Sequence, residues 1–188
     1  MTLVLVLGDI HIPQRAADIP AKFRKLLVPG KIDKILCTGN LTDGATLEYL
    51  RSITPDVSVV RGEFDPREAD YPISLRTVEE GLAVGVVSGH FMVPASGDVD
   101  ALAAAARQLD VDVLVTGSTH RFEAYEEQGR FFVNPGSITG ALSPLEQDPI
   151  PSFVLMEIKP GAEIVAYVYQ LDNDEVIVDR IEYKKDGC

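Results

Sequence analysis

The chain has 188 residues, 46% hydrophobic and 24% charged, which is ordinary globular composition and enough for one domain with a sizeable core over residues 1–188. A net charge of −12 counts against direct binding to a nucleic-acid backbone or to an anionic membrane, since both require local cationic surface. There is no basic leader, long apolar span or cleavage site, and Cys37 and Cys188 make no disulfide framework, so neither secretion nor membrane insertion is expected and a reducing cytoplasm fits.

The elements read as an α/β protein. Residues Leu3–Leu7, Lys34–Thr38 and Val57–Arg61 are short apolar runs that predict buried parallel strands, with helices near Ala21–Leu27 and Ala45–Ser52 between them. Leu82–Val87 and Val113–Thr116 continue the pattern around an alanine-rich helix at Val99–Leu109. After Arg121 the helical periodicity stops. Phe122–Glu126, Phe131–Asn134, Phe153–Ile158, Ile164–Leu171 and Val176–Tyr183 predict an antiparallel meander, turning at Gln128-Gly129, Pro160-Gly161 and Asp172-Asn173-Asp174. Ile164 to Leu171 is apolar at nearly every position, so this strand is either covered on both faces or exposes a binding patch.

All three histidines sit in short glycine-containing segments: Gly8-Asp9-Ile10-His11, Ser88-Gly89-His90 and Gly117-Ser118-Thr119-His120. Imidazole is the commonest nitrogen ligand of metals, and residues at the carboxyl ends of parallel strands converge on one crevice. Together with Gly39-Asn40-Leu41-Thr42-Asp43 and Gly62-Glu63-Phe64-Asp65, each after a β-branched run, these segments predict one polar site.

The five segments resemble, in order and spacing, the motifs of the calcineurin-like metallophosphoesterases, in outline GDxH, GDxxD, GNHD, HGH and GHxH. The resemblance implies a site for two divalent metals, and at several positions this chain departs from it. Asn40 stands for the bridging aspartate, Glu63 for an amide ligand, Phe64 for the general-acid histidine, and Ser88 and Ser118 for histidine ligands. What remains for metals is Asp9, His11, Asn40, Glu63 and His120. These residues hold at most one zinc or manganese ion, weakly, and the fold should not require it.

Segments outside the motifs narrow the resemblance. Leu3–Pro13, Ile19–Ile32, Val59–Asp65, Val133–Ser137, Pro151–Ile158, Tyr167–Leu171 and Arg180–Lys185 resemble the small metallophosphoesterase-like subunits of retromer, the vacuolar protein sorting complex. That family implies an αββα sandwich, two packed mixed sheets flanked by helices. It also implies a non-catalytic scaffold role in the retromer cargo-recognition complex, which returns cargo from endosomes to the Golgi and plasma membrane. The protein would be cytoplasmic and reach endosomes only through the complex. In that family the end of the large α-solenoid subunit packs over the metal site, which places Val93, within Phe91–Pro94, at the interface. A separate apolar patch recruits regulatory proteins, and its matching positions here are Leu3, Leu26, Leu155, Tyr167, Tyr169 and Val178. The alternative left open by the residues is a metal-dependent phosphodiesterase with an altered ligand set.

Overall fold

The computed structural model describes residues 1–94 and 97–185; Cys188 lies outside them. Strand β1 (Thr2–Leu7) is followed by α1 (Ala21–Leu26), β2 (Lys34–Cys37), α2 (Gly44–Ile53) and β3 (Val57–Val59). Next come β4 (Ser74–Glu79), β5 (Leu82–Val87), α3 (Val99–Leu109) and β6 (Val113–Val115). Five strands close the fold: β7 (Phe122–Glu127), β8 (Arg130–Pro135), β9 (Ser152–Lys159), β10 (Glu163–Asp172) and β11 (Glu175–Lys184). They form a six-stranded sheet ordered β11-β10-β9-β1-β2-β3 and a five-stranded sheet ordered β4-β5-β6-β8-β7.

Both sheets are mixed, and they pack face to face. On β1, Val4 and Val6 enter the core between the sheets, where they join Val84, Val86, Val113 and Val115. Leu5 and Leu7, on the other face of the same strand, pack beneath Phe23 and Leu27 from the α1 side and Leu50 of α2. A strand apolar at every position is therefore buried on both faces, each such side chain contributing about 1.5–3 kcal/mol. Helix α3 covers the outer face of the second sheet through Leu102, Ala103 and Ala106. The αββα sandwich expected from the sequence is the observed architecture.

Two expectations need correction. The five strands after Arg121 are not one meander: β7 and β8 form a hairpin in the second sheet, where β8 also runs parallel to β6. Only β9, β10 and β11 form a meander, on the first sheet against β1. Periodicity specifies a strand but not the sheet it joins. Strand β4 is the other difference, an edge strand that periodicity missed because Val78 faces solvent while polar Thr77 and Glu79 are partly covered. Lys34 of β2 covers them, bonding to Glu79 at 2.5 Å and to Thr77 at 3.1 Å, and so ties the two sheets together at that edge.

Strand β10 resolves the choice posed by its apolar run. Ile164, Ala166 and Val168 fill the inter-sheet core, while Tyr167, Tyr169 and Leu171 are only half-buried on the outer face. The register pairs Leu5 with Leu155, Leu155 with Tyr167, and Tyr169 with Val178, and it carries Leu3 on the same face. Tyr169 stacks on Phe153 with ring centres 4.7 Å apart, and Phe153 meets Phe23 edge-on, so α1 roofs one part of this face and leaves the rest open. Leu26 on α1 and Val178 on β11 are exposed at its margin.

Candidate metal centre and its mouth

The segments after β1, β2, β3, β5 and β6 converge at the carboxyl ends of the strands, as parallel topology dictates. They pack backbone against backbone, which is why each carries glycine. A Cβ on Gly62 would sit 2.2 Å from the backbone nitrogen of Asn40, and one on Gly89 would sit 2.2 Å from the carbonyl oxygen of Gly117. The polar residues between the glycines are held in the left-handed region: Asp9 at φ 48°, His11 at 49°, Asn40 at 56°, Ser118 at 76° and His120 at 60°. Non-glycine residues rarely adopt such a φ, at a cost of about 1–3 kcal/mol each, and clusters of them mark functional sites.

Asp9, His11 and His120 come together, with ligand atoms all within 4.8 Å of one another and all three side chains buried. Asp9 Oδ1 accepts from Asn40 Nδ2 at 3.1 Å, and Oδ2 accepts from the Ser118 N–H at 2.8 Å. Burial still pushes the Asp9 carboxyl above its usual range, against the pull of His120 and of these hydrogen bonds. His120 Nδ1 donates to the Ala141 carbonyl at 2.6 Å. A carbonyl can only accept, so in the neutral ring Nε2 carries the lone pair; it faces Asp9 Oδ1 at 3.9 Å. His11 Nε2 is buried with no hydrogen-bond partner among the described residues, and burial, then the charges of His120 and Arg15, lower its pKa to about 3. A neutral, orphaned imidazole nitrogen beside a second imidazole and a carboxylate is a donor set that fits one divalent cation.

The other half of the expected centre is closed by its own hydrogen bonds. Asn40 uses both amide atoms, donating to Asp9 and accepting from the Phe64 N–H at 3.0 Å. Ser88 Oγ lies 2.8 Å from His90 Nδ1 and 3.1 Å from Ser118 Oγ, so the two serines and His90 satisfy one another. His90 packs against Phe91, ring centres 3.8 Å apart and planes tilted by 40°, and does not join the triad. Glu63 also stays outside it, exposed at the mouth. The residues present here do not fit a second cation. The Phe64 ring lies edge-on to His11 at 5.4 Å, and the Arg15 guanidinium sits 4.5 Å above its other side.

Several supporting residues escaped the motif reading. Asp65, the last residue of its segment, accepts N–H bonds from Asn40 at 2.7 Å, Thr42 at 2.9 Å and Gly62 at 2.8 Å, so one carboxylate locks two loops. Ser137 Oγ donates to the Asp9 carbonyl at 2.7 Å and Thr139 Oγ1 to that of Ile10 at 2.8 Å, which pins the first loop from the far side. Arg15 also donates to the Leu142 carbonyl at 2.9 Å. A mouth of about 270 Å³ opens over the triad, lined by Arg15, Glu63, Phe64, His90 and Leu145 among others. Val93, close after His90, is 90% exposed.

Comparison with known proteins places this geometry. The calcineurin-like phosphoesterase superfamily domain matches residues 1–161. The vacuolar protein sorting-associated protein 29 of Schizosaccharomyces pombe is 46% identical over 187 residues, covering 97% of this chain and 98% of its own. The chain belongs to the Vps29 family. The crystal structure of Chaetomium thermophilum Vps29 superposes with a TM-score of 0.93 at 46% identity, over 98% of this chain and 100% of that one. Vps29 of Entamoeba histolytica, solved in complex with zinc, superposes with a TM-score of 0.90 at 43% identity, over 96% and 99% of the two chains. As a Vps29-family member, the protein is a retromer subunit in vacuolar protein sorting. No helix among the described residues is long and apolar enough to cross a membrane.

Proposed function

We propose that the protein is a non-catalytic scaffold subunit that docks, metal-site mouth first, against the end of the large α-solenoid subunit of retromer and reaches endosomes only through that complex. The observation that carries this reading is the rim of the mouth. The exposed Phe64 and Leu145 line it, the exposed Phe91 lines the adjoining cleft, and Val93 and Leu142, close to these in sequence, are exposed as well, in a strongly acidic chain. Exposed apolar side chains grouped about one opening are the signature of a surface that a partner covers.

The chemistry of the opening supports the same reading. Phe64 occupies the position of the proton donor, and a phenyl ring has no proton to give to a leaving alkoxide, a loss of roughly 10²–10⁴ in rate. The half-site of Asn40, Glu63, Ser88 and Ser118 offers no second cation to bind phosphate and activate water. Any zinc or manganese is then single, held weakly by Asp9, His11 and His120 with Asn40 beside them, and the fold does not depend on it. The outer face carrying Leu3, Leu26, Leu155, Tyr167, Tyr169 and Val178 serves regulators separately.

Val93→Asp tests the assignment, because a charge at the centre of a desolvated interface costs several kcal/mol, roughly a thousandfold in affinity. The variant should fold, since Val93 is exposed, and should fail to co-purify with the solenoid. Leu155→Glu, or the more exposed Val178→Glu, should leave assembly intact while losing regulators. Assembly of Val93→Asp at wild-type yield would overturn the proposal. Manganese-dependent hydrolysis of an aryl phosphodiester, abolished by Asp9→Ala, would favour the phosphodiesterase reading instead.

A further inference from the structure

The arginines of this acidic chain are almost all occupied. Arg24, Arg51, Arg121 and Arg180 are paired with carboxylates, Arg15, Arg76 and Arg130 donate to backbone carbonyls, and Arg107 donates to Gln128. Only Arg61 and Arg67 have side chains with neither a hydrogen bond nor an ion pair among the described residues. Both line one cleft of about 450 Å³, together with Glu63, His90 and Phe91.

This placement is informative on three counts. Arg61 is half-buried, and a partly desolvated guanidinium without a partner is unusual in a protein of net charge −12. Of the carboxylates that line the cleft, Asp65 is buried and consumed by three backbone N–H groups, and the exposed Glu63 pairs with neither arginine among the described residues. The cleft is also continuous with the mouth over the triad, because Glu63 and His90 line both, and Phe91 belongs to the exposed rim. Whatever covers that rim therefore takes water away from Arg61 and Arg67 as well. A cation desolvated without a counter-charge is strongly unfavourable, so the covering surface must bring carboxylates.

We propose that Arg61 and Arg67 form a cationic socket for acidic side chains of the α-solenoid subunit, beside the apolar rim. The proposal rests on the docking face assigned above. A free phosphate is the weaker candidate, because a small anion would leave the exposed Phe91 beside the cleft uncovered, whereas a protein surface covers both.

The test is the affinity of the intact protein for the purified solenoid subunit at low and high salt. The Arg61→Ala/Arg67→Ala double variant should bind at least ~10-fold more weakly at low salt, and its affinity should change little as salt rises, whereas the wild-type affinity falls with salt. Arg107→Ala removes the same kind of charge far from the rim and should bind like wild type. Equal affinity and equal salt dependence for wild type and the double variant would overturn the socket while leaving the docking face standing. Equal weakening by Arg107→Ala would overturn it too, since net charge and not the cleft would then be at work. A wild-type chain that does not bind the solenoid at all would remove the docking face and the socket with it. If titrated inorganic phosphate binds wild type but not the double variant, while solenoid affinity is the same for both, the pair serves a free anion and the proposal fails.

Discussion

The two halves of the site occupy the same crest of the fold and are built from the same kind of loop, yet their polar side chains are arranged in opposite ways. Asp9, His11 and His120 have a geometry that could hold a metal ion and leaves His11 Nε2 buried and without a partner among the described residues. Asn40, Ser88, Ser118 and His90 have closed into hydrogen bonds that need no ion. Asn40, Ser88 and Ser118 each have hydrogen-bond partners nearby, so the strained loops on this side are held by the protein's own contacts.

The largest effect on that balance is expected at Asp65, the strut shared by both halves. Asp65→Ala strands three backbone N–H groups, of which those of Asn40 and Gly62 are in buried hydrogen bonds. Leaving a buried donor unsatisfied costs about 1–3 kcal/mol, so denaturant unfolding should show a loss of several kcal/mol. A loss under about 1 kcal/mol would show that the loops hold one another without it.

Asn40→Asp probes the closed half more gently. It replaces the donor to Asp9 Oδ1 with a second carboxylate at hydrogen-bond distance, so one of the pair must stay protonated or the fold must give. The variant should be less stable than the parent by about 2 kcal/mol without metal, recover on adding zinc, and bind zinc more tightly. Equal stability of the two proteins in chelator would mean that Asn40 does not insulate Asp9.

The open half should leave a pH signature. The pKa of His11 in the fold is about 3, below its unfolded value near 6.5, so the unfolded chain takes up the proton first as the medium is acidified. Its contribution to stability is therefore complete above about pH 6.5 and is lost toward pH 3, with a slope of at most about 1.4 kcal/mol per pH unit. Asp9, with a raised pKa, opposes this slope, so the comparison is between wild type and His11→Gln. The variant should lose the difference in slope between pH 6 and pH 4; identical profiles would place His11 in contact with solvent.

How much of this was legible from the sequence depended on the range of the interaction. Asp9, His11 and His120 were readable as a group because parallel strands bring their carboxyl ends to one edge, whatever the details of the loops. The outer-face positions Leu155, Tyr167, Tyr169 and Val178 came from the family resemblance, because Ile164–Leu171 is apolar at nearly every position and shows no alternation to assign its faces. Glu63 looked equivalent to the ligands, because residue type and spacing do not say which way a loop residue points. The clamp of Asp65, the Ser88–Ser118–His90 chain and the unpaired state of Arg61 and Arg67 depend on tertiary contacts between loops, which no local pattern encodes. Edge strand β4 escaped for the opposite reason: its partly covered positions are polar because Lys34 crosses from the other sheet to meet them.

The contrast between the halves is tested most directly by calorimetric titration of the metal-free protein with zinc. The account predicts at most one site per chain, weak, and absent in Asp9→Asn, with Asn40→Asp raising the affinity but Phe64→His leaving the number of sites unchanged. Two tight sites per chain in the wild-type protein would contradict it.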